Sequence, residues 1–181
     1  MNLLKFKTFA TQKLGHFNYA NHSSLNSKLL IELHEIGWLR NSSSQNVKAG
    51  ITRSLLNYSN KDGIKELLSY ICSSLISYSA NTEYCNSRNA KITDMWGVQY
   101  LTGENTDPHT HHPNTLSFVY FVSSQKNDSP LVFCDSLFKF NGKPGELLIF
   151  PSHLKHYVPK QKNKNKRTTI AGNVIYTGWT I

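Results

Sequence analysis

The residues best suited to chemistry in this chain are three histidines: His109 and His111 in DPHTHHP, and His156 in FPSHLKHYV. Side chains alternate across an extended strand, so a His-x-His pair puts both imidazoles on one face and turns His112 away from them. A third imidazole from a distant segment completes a three-ligand face on a divalent metal and leaves positions open for chemistry. The pair immediately precedes the apolar run LSFVYFV, and His156 follows GELLIFPS, so strand ends would deliver all three rings to one mouth. This pattern points to a metalloenzyme.

Arg167 extends the pattern. It lies eleven positions after His156, and one hairpin between them would return the chain antiparallel and carry the guanidinium into the same cavity. A guanidinium binds a carboxylate bidentately, a geometry that lysine cannot reproduce. Thr169, two residues on, shares the face of Arg167 and adds a hydroxyl donor. A metal beside an Arg-x-Thr carboxylate clamp suits a keto-diacid cosubstrate.

At 181 residues the chain is long enough for one domain with a sizeable core. Its 39% hydrophobic and 17% charged content is that of a globular protein, and nine Tyr, nine Phe and three Trp favour a β-rich interior. Net charge is +9, which permits contact with nucleic acid, but much of the excess sits in KQKNKNKR, residues 160–167. A solvated hairpin loop is the preferred reading of that stretch over a binding patch. Cys72, Cys85 and Cys134 are odd in number and lack CxxC spacing, so neither a disulfide framework nor a zinc ribbon is expected. Cys72 is expected to be a buried thiol. MNLLKFKTFA lacks a signal-peptide core and no apolar run spans a membrane, so the expectation is a soluble protein of a reducing cytoplasm.

Two helices are expected in the first half of the chain. Ser24 to Trp38 places Leu25, Leu29, Leu33 and Ile36 at helical spacing; Asn60 to Ser79 does so with Ile64, Leu67, Leu68, Ile71 and Leu75, capped by Asn60 or Asp62. The polar segment NSSSQNVKAG between them is expected to be a loop. From Lys91 onward KITDMWGVQYL, TLSFVYFVSS, PLVFCD, GELLIF and RTTIAGNVIYT read as strands, with TGENTDP, QKNDSP, FNGKPG and KQKNKNK as turns. Strands this close, with no helix between them, form an antiparallel barrel or jelly roll rather than βαβ units.

The string QYLTGENTDPHTH…LSFVYF…PGELLIFPSHLKH…RTTIAGN resembles the 2-oxoglutarate-dependent iron(II) oxygenases, within them the small oxygenase group of bacteria and bacteriophages, over about residues 92 to 176. The resemblance implies an α+β protein: a double-stranded β-helix (jelly roll, cupin-like) with supporting N-terminal helices. It would be a single oxygenase domain over 1–181, with helical support over about 20–80 and the β-helix core over about 91–178. It implies iron(II) held by His109, His111 and His156, and 2-oxoglutarate held by Arg167 and Thr169. Tyr100 matches a cosubstrate-contacting tyrosine of the prolyl-hydroxylase-like members, and Tyr120 is a further cosubstrate candidate. Trp96 and Asn173 occur where the group carries similar residues. The implied activity is a dioxygenase that hydroxylates a protein side chain or small molecule using O2, in the host cytoplasm if the gene is a phage's.

One residue departs from the superfamily pattern. His111 stands where the facial triad of two histidines and one carboxylate has Asp or Glu, which makes the site one unit more positive and zinc or copper more competitive. Asp107 or another carboxylate is an alternative for completing the site, although Asp107 precedes His109 and does not fit the usual order. Two other readings stay open: a cupin-like three-His dioxygenase that needs no 2-oxoglutarate, and a non-catalytic module whose basic loop binds nucleic acid or a capsid or tail partner.

Overall fold

Every apolar run after residue 90 that reads as a strand is one in the computed structural model, which describes residues 2–9, 12–40, 46–82 and 90–176. They are β5 (Ala90–Tyr100), β7 (Leu116–Ser123), β8 (Leu131–Phe133), β10 (Glu146–Pro151) and β12 (Arg167–Tyr176). Polar segments supply further strands: β6 (Asn105–His109) lies within TGENTDPH, β9 (Lys139–Phe140) begins FNGKPG's turn, and β11 (His156–Val158) carries the third histidine. β6 and β9 correct the turn assignments, and β11 lies in a segment where no strand is expected. Short pairings of two to five residues have too little apolar alternation to be seen as strands.

The N-terminal half also holds more strand than expected. β1 (Asn2–Phe9) and β2 (Gln12–Asn18) form an antiparallel hairpin, and β3 (Val47–Lys48) and β4 (Gly50–Ile51) arise in the segment read as a loop. Seven strands make one antiparallel sheet in the order β1-β2-β10-β7-β12-β5-β4, and five make a second in the order β3-β6-β11-β8-β9. From β5 on, the chain alternates between the sheets except at the β8–β9 pair. The strand core is therefore not confined to residues beyond 91, because β2 hydrogen-bonds β10 and β3 hydrogen-bonds β6.

Alternation divides the side chains of the larger sheet between two cores. Met95, Phe118, Tyr120, Leu147, Ile149 and Ile170 pack toward the helices. Val98, Tyr100, Val119, Phe121, Leu148 and Phe150 point the other way, onto Leu131, Phe133 and Val158 of the five-stranded sheet. With both faces of its central strands buried, the sheet reads in sequence as continuous apolar runs. At about 1.5–3 kcal/mol per fully buried large apolar side chain, the two cores dominate the stability of the architecture.

The helices α1 (His22–Ile36) and α2 (Asp62–Ala80) cover the larger sheet with Leu25, Leu29 and Leu33 and with Ile64, Leu67, Ile71 and Tyr78. α1 stops short of Trp38 because Gly37 takes a left-handed φ of 86° and its N–H closes onto the Leu33 carbonyl. Neither Asn60 nor Asp62 caps α2; its N-cap, Lys61, makes no side-chain cap. The carboxylate of Glu32 on α1 does so across the helix interface, accepting from the N–H groups of Gly63 (2.8 Å) and Ile64 (3.0 Å). Cys72 is exposed on α2, contrary to expectation, and Cys134 is half-buried; Cys85 falls outside the described residues. No helix among the described residues is long and apolar enough to cross a membrane.

Glu32 is buried, so Glu32→Ala leaves two helix-end donors without partners at the α1–α2 interface. We expect a loss of about 1–3 kcal/mol in urea denaturation, with Glu32→Gln retaining part of it through its amide oxygen. A Glu32→Ala protein as stable as wild type would refute the cross-helix cap.

Candidate metal centre

Strand register brings two of the histidines together. β11 pairs antiparallel with β6, and His156 and His109 are direct cross-strand partners, with ring centroids 4.5 Å apart. β6 ends at His109, so His111 does not lie on the same strand as expected; it arrives in the turn that follows. Backbone bonds hold that turn: the His111 N–H donates to the Ser152 carbonyl (2.9 Å), and its carbonyl accepts from Asn114 N–H (3.0 Å) and Nδ2 (2.9 Å). The His111 ring lies 4.8 Å from that of His109 and 5.1 Å from that of His156. One nitrogen from each of the three lies within 4.8 Å of the others. His112 is exposed and outside the cluster.

Local hydrogen bonds set the tautomers of two rings. Nδ1 of His109 lies 2.8 Å from the Asp107 carbonyl, and Nδ1 of His156 lies 2.8 Å from the Leu154 carbonyl. A carbonyl only accepts, so Nδ1 carries the proton and Nε2 presents its lone pair to the cluster. Burial disfavours the imidazolium in all three: the pKa of His109 is lowered, that of His156 falls to about 4 and that of His111 to about 3, the neighbouring histidines adding to the effect on the last two. Neutral imidazoles at neutral pH are the form that binds a metal. Asp107 is not part of the cluster; its carboxylate turns to Lys48 Nζ (2.8 Å) and Asn105 Nδ2 (2.7 Å), and Lys48 holds its pKa down.

Arg167 opens β12, where its register partner is Tyr100. Its side chain is 2% exposed, and the guanidinium carbon sits 4.9 Å from the centroid of the Tyr100 ring and 5.4 Å from that of Phe121. Its Nη1 is buried and has no hydrogen-bond partner. The loop before it is solvated in part, with Lys160, Lys162, Lys164 and Lys166 exposed, but it does not close the expected hairpin: β11 belongs to the five-stranded sheet and β12 to the seven-stranded one, so the loop crosses between sheets. The intervening amides turn inward, Gln161 and Asn163 both donating to buried Asp128 (2.6 and 2.9 Å). Asp128 was not legible as a site residue. Its only sequence signal is a place in a polar turn, yet it anchors the segment that delivers Arg167.

One cleft of about 50 Å³ joins these groups, lined by His109, His111, His156, Arg167, Thr169 and Tyr100 among others. The Tyr100 hydroxyl shares a 2.7 Å hydrogen bond with Thr106, and burial raises its pKa, so it remains a phenol. Trp96 borders the cleft, its ring 5.8 Å from that of His111. Asn173 is buried and accepts from Ser117, whose hydroxyl also meets Ser152. Tyr120 is not brought to the cleft: it faces the helices and donates to Asn26 Oδ1 at 2.7 Å. A wider groove of about 810 Å³ on the helix side, lined by Tyr19, Lys28, Glu66 and Tyr70, includes none of the histidines of the cluster.

No family model matches the sequence, and no curated protein matches it. Solved structures do resemble the fold. A Pseudomonas putida prolyl-4-hydroxylase is 14% identical, covering 93% of this chain and 95% of its own, with a TM-score of 0.70. A Trichoplax adhaerens prolyl hydroxylase, in complex with a hypoxia-inducible-factor peptide fragment, is 18% identical over 90% of this chain and 83% of its own, TM-score 0.67. HygX of Streptomyces hygroscopicus, with nickel and 2-oxoglutarate bound, is 10% identical over 92% and 84%, TM-score 0.65.

The histidine pKa shifts predict a pH dependence for the metal-free protein. Unfolded imidazoles titrate near 6.5; folded ones with lowered pKa bind fewer protons, so the unfolded state gains protons first on acidification and stability falls with pH. We expect the melting temperature of chelator-treated protein to drop as pH is lowered from about 6.5 toward the folded values of about 4 and 3. His111→Gln should flatten that slope, and an unchanged slope would count against buried neutral imidazoles.

Proposed function

We propose that this chain is a 2-oxoglutarate- and iron(II)-dependent dioxygenase, a single oxygenase domain over 1–181. We read its facing sheets as a double-stranded β-helix, supported by the sheet-to-sheet alternation of β5 through β12 and by the fold of the similar oxygenases. The observation that carries the function is a buried guanidinium with an unpartnered nitrogen in the same cleft as three neutral imidazoles. A charge buried without a counter-ion is costly, and a carboxylate with two oxygens satisfies a guanidinium fork. The donor set also fits a divalent first-row metal, since imidazole suits iron, zinc and copper alike.

In this reading His109, His111 and His156 hold iron(II), and Arg167 with Thr169 holds the far carboxylate of 2-oxoglutarate. Tyr100, kept as a neutral phenol, sets the lateral position of Arg167 through its ring. The bound metal and cosubstrate supply the activation of O2 and the oxidation of an unactivated C–H bond. The chain's own residues orient the diacid between its two ends and exclude water with the apolar walls of Leu131, Phe150 and Val158. The cleft is narrow, so a five-carbon diacid requires side chains at its border, Trp96 and Val47 among them, to move outward. Burial of Arg167 inside the cleft favours this reading over a non-catalytic module that uses the chain's basic loop.

The test is succinate release coupled to O2 uptake in protein loaded anaerobically with iron(II), preceded by the visible charge-transfer band of the iron–2-oxoglutarate chelate. His156→Ala should weaken metal binding by about a hundredfold or more and abolish turnover. Arg167→Ala should weaken 2-oxoglutarate binding by about 3 kcal/mol, roughly a hundredfold, for the loss of two charge-assisted bonds. Unchanged cosubstrate affinity in that variant would sink the carboxylate clamp. Oxygen uptake without succinate, with iron demonstrably bound, would favour a cupin-like three-His dioxygenase, the reading that the all-imidazole cluster best supports as a rival.

A further inference from the structure

The three histidines are held in different ways. His109 and His156 are register partners on paired strands, and each is locked by an Nδ1–H bond to a carbonyl two residues earlier in its own chain. His156 is also packed edge-on against Phe150 (5.0 Å) and against Phe133 (6.0 Å) and is 4% exposed. His111 has none of this. It stands outside any strand, neither of its ring nitrogens has a hydrogen-bond partner among the described residues, and beyond the other two histidines its aromatic neighbour among them is Trp96 at a tilt of 49°. Metal-bound histidines almost always donate their second N–H to a fixed acceptor, which sets tautomer and ring orientation, so a ligand lacking that bond is the one most readily given up.

Charge acts in the same direction. The ligand cluster contains no carboxylate, and Asp107 is committed to Lys48 and Asn105. A divalent cation here would keep its full charge, and an anionic donor gains more from that charge than a neutral imidazole does. Meanwhile the His111 backbone is pinned at both its N–H and its carbonyl. Departure of the ring is therefore a rotation about its side-chain bonds, with no movement of the turn.

We propose that His109 and His156 form the fixed mount of the metal centre and that His111 is its exchangeable ligand, which yields its position to a small anionic donor. This rests on the metal-binding reading above.

Cobalt(II) affinity, measured by competition with a chromophoric chelator, separates the roles. His109→Ala and His156→Ala are expected to weaken binding about a hundredfold or more, and His111→Ala less than about tenfold, a contrast of the size attached to an orienting hydrogen bond. Circular dichroism checks that each variant is folded. A loss in His111→Ala equal to that in His156→Ala overturns the proposal while leaving the metal reading intact; wild-type protein that binds no cobalt(II) overturns the metal reading itself. Unmutated protein gives an independent measurement by proton NMR of the cobalt(II) form. Two slowly exchanging, paramagnetically shifted ring N–H signals are expected, and saturating azide should remove the shifted ring C–H signals of one histidine alone. Three histidines still shifted under saturating azide would overturn the proposal.

Discussion

Burial of the Arg167 guanidinium is the constraint around which the cleft is arranged. Taking a permanent charge out of water costs several kcal/mol unless it is compensated. The protein compensates it in part with the faces of Tyr100 and Phe121, a cation–π environment, and leaves Nη1 without a partner. Two further structures depend on that placement. The Asp128 carboxylate gathers the amides of Gln161 and Asn163, so the loop enters β12 at a fixed point. The β12–β5 pairing then sets Arg167 opposite Tyr100 and Thr169 opposite Val98, on the inner face of the larger sheet.

The same alternation that turns Arg167 inward explains why the sheet can serve two purposes. Odd-numbered residues of β12 and β7, with Trp96, Val98 and Tyr100 of β5 and the even-numbered apolar residues of β10, face the smaller sheet and the cleft; Met95, Phe118, Tyr120, Leu147, Ile149 and Ile170 bind the helices. Gly172 shows how tightly the helix side is filled. A methyl there would lie 2.4 Å from Cζ of Phe118 and 2.6 Å from the Asp94 carbonyl, so the ring occupies the space that a side chain would need. Close packing on one face thus holds the strands whose opposite face bears the polar groups.

Much of this was legible in the sequence because it follows from periodicity. Alternation along β12 puts Arg167 and Thr169 on one face. His111, however, stands in the turn after β6 rather than on its strand, and β11 and β12 belong to different sheets, so a crossover and not a hairpin leads from His156 to Arg167. Tyr120 shows the limit of such reasoning. LSFVYFV is apolar at every position but Ser117, both of its faces are buried, and its apolar residues do not say which face turns toward the helices. β6, β9 and β11 were hidden for a different reason, since each is short and owes its pairing to partners distant in sequence. The Glu32 cap and the Asp128 anchor are likewise contacts between segments that local propensity cannot link.

The cleft therefore combines two kinds of support with different consequences. His109 and His156 stand on paired strands of one sheet, so their spacing is fixed by register and changes only if that ladder breaks, while Arg167 stands on the facing sheet and is held by its own pairing with β5. His111 stands on a turn whose backbone is secured through Ser152, Asn114 and the Thr115–Val174 bond, while its ring is oriented by packing alone. The cluster holds no carboxylate, and no hydrogen bond from the described residues holds the His111 ring in place. Rigid and loosely held donors are thus segregated by secondary structure, and the loosely held one lies beside Trp96 in the lining of the cleft.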